Sequence, residues 1–548
     1  MLAALGLGFA MSASAADLTK CTSCHGTIAK DHAGAAHKDV ACSTCHTGLD
    51  QHLANMKTRP TVNFDPAACG ACHTDQYKSL FATSDRPARQ SKKDAAGPAP
   101  DPFFDRAMGT HGFTKEHDLP RAHTFMAIDQ FIVDRAFGGR FEPKEGWLYT
   151  TLEGGKSYKV WDVLKDNHPE SNEHKPFKPG TAAAGNAVCW TCKSTDLMLD
   201  WAYMGDKVDG AKFHRGSNAV DVVRSVNHGI NCNFCHDPHS AEPRIIFSPL
   251  IESMAGENGK DNFYQQNVGS KAMTPIEVVE MGLRGFTRKI GILKDYNANF
   301  QCGQCHNAAN RYLTYSWTKD GKPVTKEDLK KAGISPYSTE FFRNPIESWE
   351  FFKKLGWNQG TNGATGVKMV NGSDHPHVEI LSASKHGQAG VTCTDCHFAK
   401  KADGTMEHQP SLAKMKVQNT CLRSDCHGKG TKDDWSEGQA LYTIEAIQQE
   451  YRIRTQKMEM DAYVSRGLLA DVKAGKIVIP EKEMQQLNDA YERYLATRDW
   501  YFTDFSTGFH DPDGFNASAT KVIWDLRMAN DAAKKAMKPA AQKTASTK

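Results

Sequence analysis

Residues 21–25 read Cys-Thr-Ser-Cys-His, and this Cys-x-x-Cys-His string is the repeated feature on which the fold depends. Five more copies follow, at residues 42–46, 69–73, 232–236, 302–306 and 393–397. Two variants complete the set. Residues 189–193 read Cys-Trp-Thr-Cys-Lys, and Cys421 to Cys426 is an expanded Cys-x4-Cys pair followed by His427. All sixteen cysteines therefore fall into pairs.

The spacing of these pairs favours haem attachment over zinc binding or disulfides. In a c-type site two thiols add to the haem vinyl groups, while the next residue, on the same short turn, reaches the iron as proximal ligand. Structural zinc needs two Cys pairs and gives no reason for a His after each one. By residue frequencies such a string is expected roughly 0.02 times per chain, whereas six are present. The sequence therefore predicts eight covalently bound c-type haems.

The predicted haem-binding residues follow directly from these strings. Attachment is assigned to Cys21, Cys24, Cys42, Cys45, Cys69, Cys72, Cys189, Cys192, Cys232, Cys235, Cys302, Cys305, Cys393, Cys396, Cys421 and Cys426. Proximal ligation is assigned to His25, His46, His73, Lys193, His236, His306, His397 and His427.

Composition excludes other classes of protein. The chain has 548 residues, 39% hydrophobic and 24% charged, and a mean hydropathy of −0.56, which is typical of a soluble globular protein with several cores. The formal net charge of +3 provides no strong field for a polyanion, so we expect no nucleic-acid partner. Since porphyrin would fill much of the interior, the protein's own cores can be small.

The first residues indicate export. Leu2 to Ala10 is apolar, and Ala13-Ser14-Ala15 has the small residues of a signal-peptidase site. We interpret residues 1–16 as a signal peptide and expect a periplasmic or otherwise exported protein. The alternative is a lipid or uncleaved anchor, although fifteen residues are short for a membrane span. A signal peptide normally has a basic residue before its apolar run, and no Lys or Arg precedes this one.

Lys193 is the exception among the predicted proximal ligands. Seven of the 23 histidines follow cysteine pairs, which leaves sixteen for sixth ligands and other duties. A haem with two His ligands has no open position and serves electron transfer, whereas a five-coordinate haem can bind a substrate. The Lys193 haem is therefore the candidate catalytic site. The alternative is that Lys is merely tolerated at this position.

With these motifs in this order, the chain resembles the octahaem member of the ammonia-forming cytochrome c nitrite reductase superfamily. The likeness runs from about residue 20 to the C-terminus and includes the strings at 134–140, 200–206, 236–240 and 508–510. Cys-x-x-Cys-Lys is a highly specific motif of that superfamily. Because strand signals are also sparse, we predict a mainly α multihaem cytochrome c with a haem-packed core, irregular loops and long C-terminal helices.

The resemblance implies two further catalytic residues beside Lys193. Arg135 and His375 match the family's substrate-binding Arg and proton-donating His. A guanidinium can hold an anionic oxygen, and an imidazole can protonate a departing oxygen. Without the resemblance, a salt-bridging Arg and a loop His would be the simpler interpretations.

Two positions depart from the family pattern. The family's active-site Tyr is replaced by Ala309, and its calcium-binding Glu is replaced by Ala308. Asp374 still offers an oxygen to a cation, so calcium is possible but doubtful. Tyr312 is a candidate substitute for the missing Tyr. Loss of the Tyr removes a proton source and casts doubt on efficient nitrite reduction.

The sixth ligands are predicted in two groups. His123, His386, His408 and His510 match distal ligands that the resemblance implies for the five-haem part. For the three N-terminal haems we favour His37, His52 and His117. The wider set of candidates also contains His32, His111, His228 and His239.

The chain divides into four segments by motif density and helical pattern. Residues 1–16 are the signal peptide, 17–102 a three-haem domain with a Pro-rich connector, 103–430 a five-haem catalytic domain, and 431–548 a region of long helices. Gly475 and Pro480 fit the end of one helix and the start of the next. The resemblance implies that these helices form a homo-oligomer interface; the alternative is a helical buttress within one chain.

Three functions remain open at this point. The first is six-electron reduction of nitrite, and of hydroxylamine, to ammonia, with electrons from a redox donor protein or a quinol-linked cytochrome. The second is electron transfer or storage by a multihaem cytochrome with a degenerate active site. The third is reduction of another small oxyanion, such as sulfite or tetrathionate.

Overall fold

The computed structural model describes most of the chain beyond residue 19. The described residues are 20–80 except 64, 191–217, 222, 229–255, 276–283, 285–294, 298–307, 317–332, 342–358, 360–369, 376–410, 413–502, 504 and 506–540. The predicted signal peptide and the predicted domain boundary at 102/103 lie outside these ranges.

The N-terminal region, residues 20–80, consists of short helices around its three cysteine motifs. Its elements are α1 (Gly26–Ala33), α2 (Cys42–Cys45), β1 (His46–Thr47), α3 (Leu49–Ala54), β2 (Thr61–Val62), α4 (Pro66–Gly70) and α5 (Thr74–Leu80). β1 and β2 pair antiparallel. Of the described residues in this region, His32 and Pro66 are buried and no apolar cluster forms. Side-chain packing therefore does not supply a conventional core here.

The middle of the chain adds a β-hairpin to further short helices. The elements are α6 (Thr195–Asp200), α7 (Cys232–Cys235), β3 (Arg244–Ile245), α8 (Ser248–Ala255), β4 (Ile276–Leu283), β5 (Phe286–Leu293) and α9 (Ala298–Cys302). β5 lies between β3 and β4, antiparallel to both. The strands and α8 bury an apolar cluster that includes Ile245, Leu250, Ile290 and Phe300.

Residues 317–397 combine a small three-stranded sheet with five helices. They comprise β6 (Thr318–Lys319), β7 (Lys322–Pro323), α10 (Lys326–Lys331), α11 (Pro345–Leu355), β8 (Trp357–Asn358), α12 (His377–Ala383), α13 (Lys385–Gln388) and α14 (Cys393–His397). β6 pairs antiparallel with both β7 and β8.

Three long helices form the C-terminal region: α15 (Glu437–Lys473), α16 (Glu481–Phe502) and α17 (Pro512–Ala536). A short pair of strands, β9 (Ile477–Val478) and β10 (Lys538–Pro539), joins their ends. Ser436 and Gln439 form a capping box at the start of α15, which satisfies backbone groups that the first turn leaves unpaired. Gly475, at φ +67°, ends that helix, and Pro480 precedes α16. The prediction of a mainly α fold with long C-terminal helices is confirmed.

The largest apolar core lies where these helices meet α11. Phe515 of α17 packs between Tyr451 and Tyr501, with ring centroids 4.5 and 5.0 Å away. Tyr451 Oη donates to the Tyr501 carbonyl at 2.9 Å, so the phenol is satisfied although buried. Among the described helices, none combines the length and apolar character needed to cross a bilayer.

Candidate haem-binding site

The described cysteine motifs share one local structure. In each of four regular motifs the His backbone N–H donates to the carbonyl of the first Cys at 2.9 Å; these are the motifs ending in His25, His73, His236 and His306. This turn places both thiols and the imidazole on one side of a short helix, as haem attachment requires.

The expanded motif closes in the same way despite its two extra residues. The His427 N–H donates to the Cys421 carbonyl at 3.0 Å, and Cys426 N–H donates to the Arg423 carbonyl at 3.0 Å. Arg423 also pairs with Asp395 Oδ1 of the preceding motif at 3.3 Å. The insertion is therefore accommodated as a loop, and His427 keeps its usual relation to the first Cys.

A single cavity of about 2200 Å³ runs through the cysteine motifs. All six regular Cys-x-x-Cys-His motifs contribute to its lining. Pockets for one small ligand are roughly 300–1,000 Å³, so this space is large enough for several large groups. The cavity takes the place of the missing apolar core between residues 20 and 80.

Five motif histidines each face a second histidine at a nearly constant distance. The ring-centroid separations are 6.2 Å for His25–His52, 5.9 Å for His73–His37, 6.2 Å for His46–His239, 6.2 Å for His397–His510 and 6.1 Å for His427–His386. A metal–imidazole bond is about 2 Å long and the ring centre lies about 1 Å further, so ligands on opposite faces of one iron have centroids roughly 6 Å apart. The pairs fit bis-histidine haem ligation.

The hydrogen bonds of six predicted ligand histidines support the same geometry. Nδ1 donates to a backbone carbonyl in His52 (Thr58, 2.7 Å), His37 (Pro238, 3.1 Å), His236 (Ala241, 3.3 Å) and His408 (Met406, 3.2 Å). In His427 and His510 it donates to Asp433 and Asp504, each at 2.7 Å. Metal-ligating histidines make this bond with the nitrogen that faces away from the metal. Nε2 thereby remains available for iron.

Burial also selects the chemical forms that haem requires. It lowers the pKa of His46, His236, His239, His386 and His408, which favours the neutral imidazole that binds a metal. It raises the pKa of the Cys235 and Cys396 thiols to about 12, which disfavours a thiolate at these two positions, whereas hydrogen bonds from neighbouring cysteines lower the pKa of Cys232 and Cys302. An uncharged thioether carries no such penalty.

Comparison with known proteins shows the family of the chain. The cytochrome c552 family model matches residues 146–548, well over half of the chain. The chain belongs to the cytochrome c552 family. As a cytochrome c of this family it carries covalently bound c-type haem.

Individual relatives are distant. The chain is 23% identical over 371 residues to cytochrome c nitrite reductase subunit NrfA of Nitratidesulfovibrio vulgaris, covering 65% of this chain and 60% of that protein. It is 25% identical over 430 residues to cytochrome c-552 of Desulfotalea psychrophila, covering 78% and 66%. The fold resembles the cytochrome c nitrite reductase of Desulfovibrio desulfuricans, with a TM-score of 0.53, 18% identity and 86% of each chain covered.

In this member of the cytochrome c552 family, the Lys-bearing motif packs against the motif that ends in His306. Lys193 closes a single 3-10 turn, Thr191–Lys193, and Ser194 caps the helix that follows. Cys192 Sγ lies 3.9 Å from the Gln304 carbonyl, and Cys305 Sγ lies 3.9 Å from the Cys192 carbonyl. Lys193 therefore stands beside a His-ending motif that lines the large cavity.

Several predicted site residues lie outside the described residues. These are Cys189, His117, His123, Arg135 and His375, together with Ala308, Ala309, Tyr312 and Asp374. Their roles remain predictions.

Other placements add to what the sequence suggested. His239, a candidate that we did not favour, is the ring opposite His46, and His37 and His52 face His73 and His25. His32 contacts the Val40 carbonyl through Nε2 at 3.0 Å. Nε2 is the nitrogen that the six hydrogen-bonded ligand histidines leave available for iron. Sequence reasoning missed Asp433 and Asp504, because nothing in their local sequence indicates which ring each one contacts.

Proposed function

We propose that the protein is an exported octahaem cytochrome c oxidoreductase that reduces nitrite to ammonium at the haem held by Lys193. The observation that carries the proposal is a difference in ligation. Lys193 ends the one attachment motif that lacks a His, while five of the described His-ending motifs face a second His. Two imidazoles leave no open position, so those sites suit electron transfer. The haem held by Lys193 is the one proposed to bind the substrate.

The count of eight is supported by the expanded motif. His427 keeps the backbone hydrogen bond of the regular motifs and faces His386 at the bis-histidine separation. We therefore include Cys421 and Cys426 among the attachment residues rather than treating them as an empty site.

Each proposed catalytic residue has a distinct role. Lys193 would hold the haem iron as a neutral amine, a form that metal binding enforces. The Arg135 guanidinium holds and polarises a nitrite oxygen, and His375 passes a proton to each oxygen as it leaves as water. When bound, the haems supply the six electrons that, with eight protons, convert nitrite to ammonium and two water molecules. Hydroxylamine is a natural second substrate.

The surrounding organisation follows from the same proposal. Residues 17–102 would carry three haems, 103–430 the five haems with the substrate site, and 431–548 the long helices. Export of the chain to the periplasm would bring it to a redox donor protein or quinol-linked cytochrome. A homo-oligomer would form through the long helices.

A second candidate function is supported by Ala308 and Ala309. These residues stand where the resembling family has its calcium-binding Glu and its active-site Tyr. A pocket without the Tyr fits an electron conduit or storage cytochrome, and equally a reductase of sulfite or tetrathionate. Calcium binding is correspondingly doubtful.

Turnover with reduced viologen separates these functions. We expect ammonium in stoichiometric yield from nitrite. Electron uptake without nitrite turnover would instead support the conduit. Sulfite or tetrathionate consumption without ammonium would support the third function.

Electron paramagnetic resonance tests the open position itself. We expect a high-spin ferric signal that shifts when nitrite is added. The signal should be lost from the double variant Cys189→Ser/Cys192→Ser and retained in Cys421→Ser/Cys426→Ser, which removes a different haem. A purely low-spin spectrum of the wild type would contradict any reductase at this site.

A further inference from the structure

A chain of four side chains joins two of the attachment motifs. His306 Nδ1 lies 2.7 Å from His377 Nδ1, and His377 Nε2 lies 3.8 Å from Asp504 Oδ1. The same Asp504 oxygen accepts from His510 Nδ1 at 2.7 Å. His306 is the proximal residue of the Cys302 motif, and His510 faces His397 of the Cys393 motif. One carboxylate thus reaches ligands of two neighbouring sites.

The carboxylate at the centre of this chain is held rigidly. The Asp504 side chain is 0% exposed, and that of His377 is 8% exposed. Ser506 Oγ donates to Asp504 Oδ2 at 2.6 Å, so both carboxylate oxygens have polar partners. A carboxylate has no donor of its own when ionised, so Asp504 is suited to accept from Ser506 and His510 at the same time.

One set of proton positions is consistent with these distances. If His306 donates Nδ1–H to His377 Nδ1, the remaining proton of His377 is on Nε2, the atom 3.8 Å from Asp504 Oδ1, where the attraction is electrostatic. His510 likewise donates Nδ1–H to Asp504. In both motif-facing histidines Nε2 then stays unprotonated and available for iron. The ring centroid of His377 is 4.8 Å from that of His306 and 5.5 Å from that of His510, both shorter than the separation of the five histidine pairs.

We propose that Asp504 positions axial ligands of two haems at once, His510 directly and His306 through His377. A carboxylate that accepts the Nδ1 proton fixes the ring orientation and raises the basicity of the ligand. A more basic ligand stabilises ferric over ferrous iron, so both haems have lower reduction potentials than they would without Asp504. The proposal needs haem at the Cys302 and Cys393 motifs, and it is independent of whether the protein reduces nitrite.

The test is a potentiometric titration of the holoprotein, followed by visible and low-spin electron paramagnetic resonance spectra. Asp504→Asn should raise the reduction potentials of two one-electron components of the titration. We expect at least a tenfold change in each oxidised-to-reduced ratio, which is about 59 mV for one electron. His377→Phe should shift only one of those two. His377→Gln keeps a donor and an acceptor, so its shift from the wild-type potential should be smaller than that of His377→Phe.

Matched variants show which haem gives each component of the titration. His510→Ala should turn the Cys393-motif haem high-spin and so identify its component. Asp433→Asn removes a different ligand-contacting carboxylate, beside His427, and should shift a third component that neither Asp504→Asn nor His377→Phe affects. If Asp504→Asn moved fewer than two components, or if His377→Phe moved the His510 component, shared positioning would be wrong. His377→Phe decides the question even if the buried Asp504 variant fails to fold.

Discussion

His239 faces His46 with ring centroids 6.2 Å apart and ring planes 14° from parallel, although the two residues come from distant parts of the chain. This separation is the one that two axial ligands of a single iron require. His239→Ala should therefore convert one low-spin haem to a high-spin form, which would appear as a new high-spin ferric resonance. His32→Ala is the matched control, because His32 already uses Nε2 for the Val40 carbonyl. An unchanged spectrum in His239→Ala would favour His117 as the ligand.

The expanded motif allows a prediction about haem stoichiometry. His427 keeps both its backbone bond to Cys421 and its facing partner His386, so the site should be loaded. We expect eight haems per chain by pyridine haemochrome quantitation combined with intact mass. The double variant Cys421→Ser/Cys426→Ser should carry seven. Seven haems in the unaltered protein would identify this motif as empty.

The haem motifs and their proximal ligands could be predicted from sequence because attachment depends on residues within one turn of helix. Distal ligands depend on how distant segments pack. His52 is close to its partner along the chain, whereas His239 comes from a distant segment that also contacts the N-terminal region through the Pro238 carbonyl and His37 Nδ1. The contact of His377 with Asp504 is tertiary in the same way, whereas His510 and Asp504 are six residues apart; no spacing rule indicates either contact.

The β4–β5 hairpin was missed for a different physical reason. Burial along β5 is nearly continuous, since six of its eight residues are buried. The strand therefore lacks the period-two signal of a half-buried strand. Its turn depends on Gly285, at φ +105°. A Cβ on Gly210 would lie 2.4 Å from the Gly285 carbonyl oxygen. This close approach of two glycines is a property of the fold and not of either local sequence.

The aromatic contact at the centre of the helical region allows a stability prediction. Phe515 is 2% exposed and packs on Tyr451 and Tyr501. Phe515→Ala should lower the free energy of unfolding of this region by about 3–5 kcal/mol, because a large buried side chain is replaced by a cavity. Denaturant unfolding followed by far-ultraviolet circular dichroism measures the change. The control is Tyr442→Ala on α15, a ring that is 76% exposed, which should change stability by about 0.5 kcal/mol or less.

An exposed apolar surface on the long helices allows a prediction about assembly. Met460 and Tyr463 of α15 and Trp524 and Met528 of α17 are between 52% and 75% exposed. The bond from Arg527 Nε to Asp461 Oδ2, 2.8 Å long, joins the two helices at this level. Exposed clusters of this kind are typical of protein interfaces, and the proposed homo-oligomer would cover this one with a second copy.

Two charged substitutions test that assembly. The double variant Tyr463→Asp/Trp524→Asp should shift the protein to monomers, because each carboxylate would be buried without a partner at the interface. Sedimentation velocity measures the change, and the haem spectra should stay as in the unaltered protein because neither residue lines the large cavity. Lys429→Glu, an exposed charge change outside the long helices, should leave the oligomer intact. If the double variant kept the sedimentation coefficient of the unaltered protein, the long helices would instead serve as a buttress within one chain.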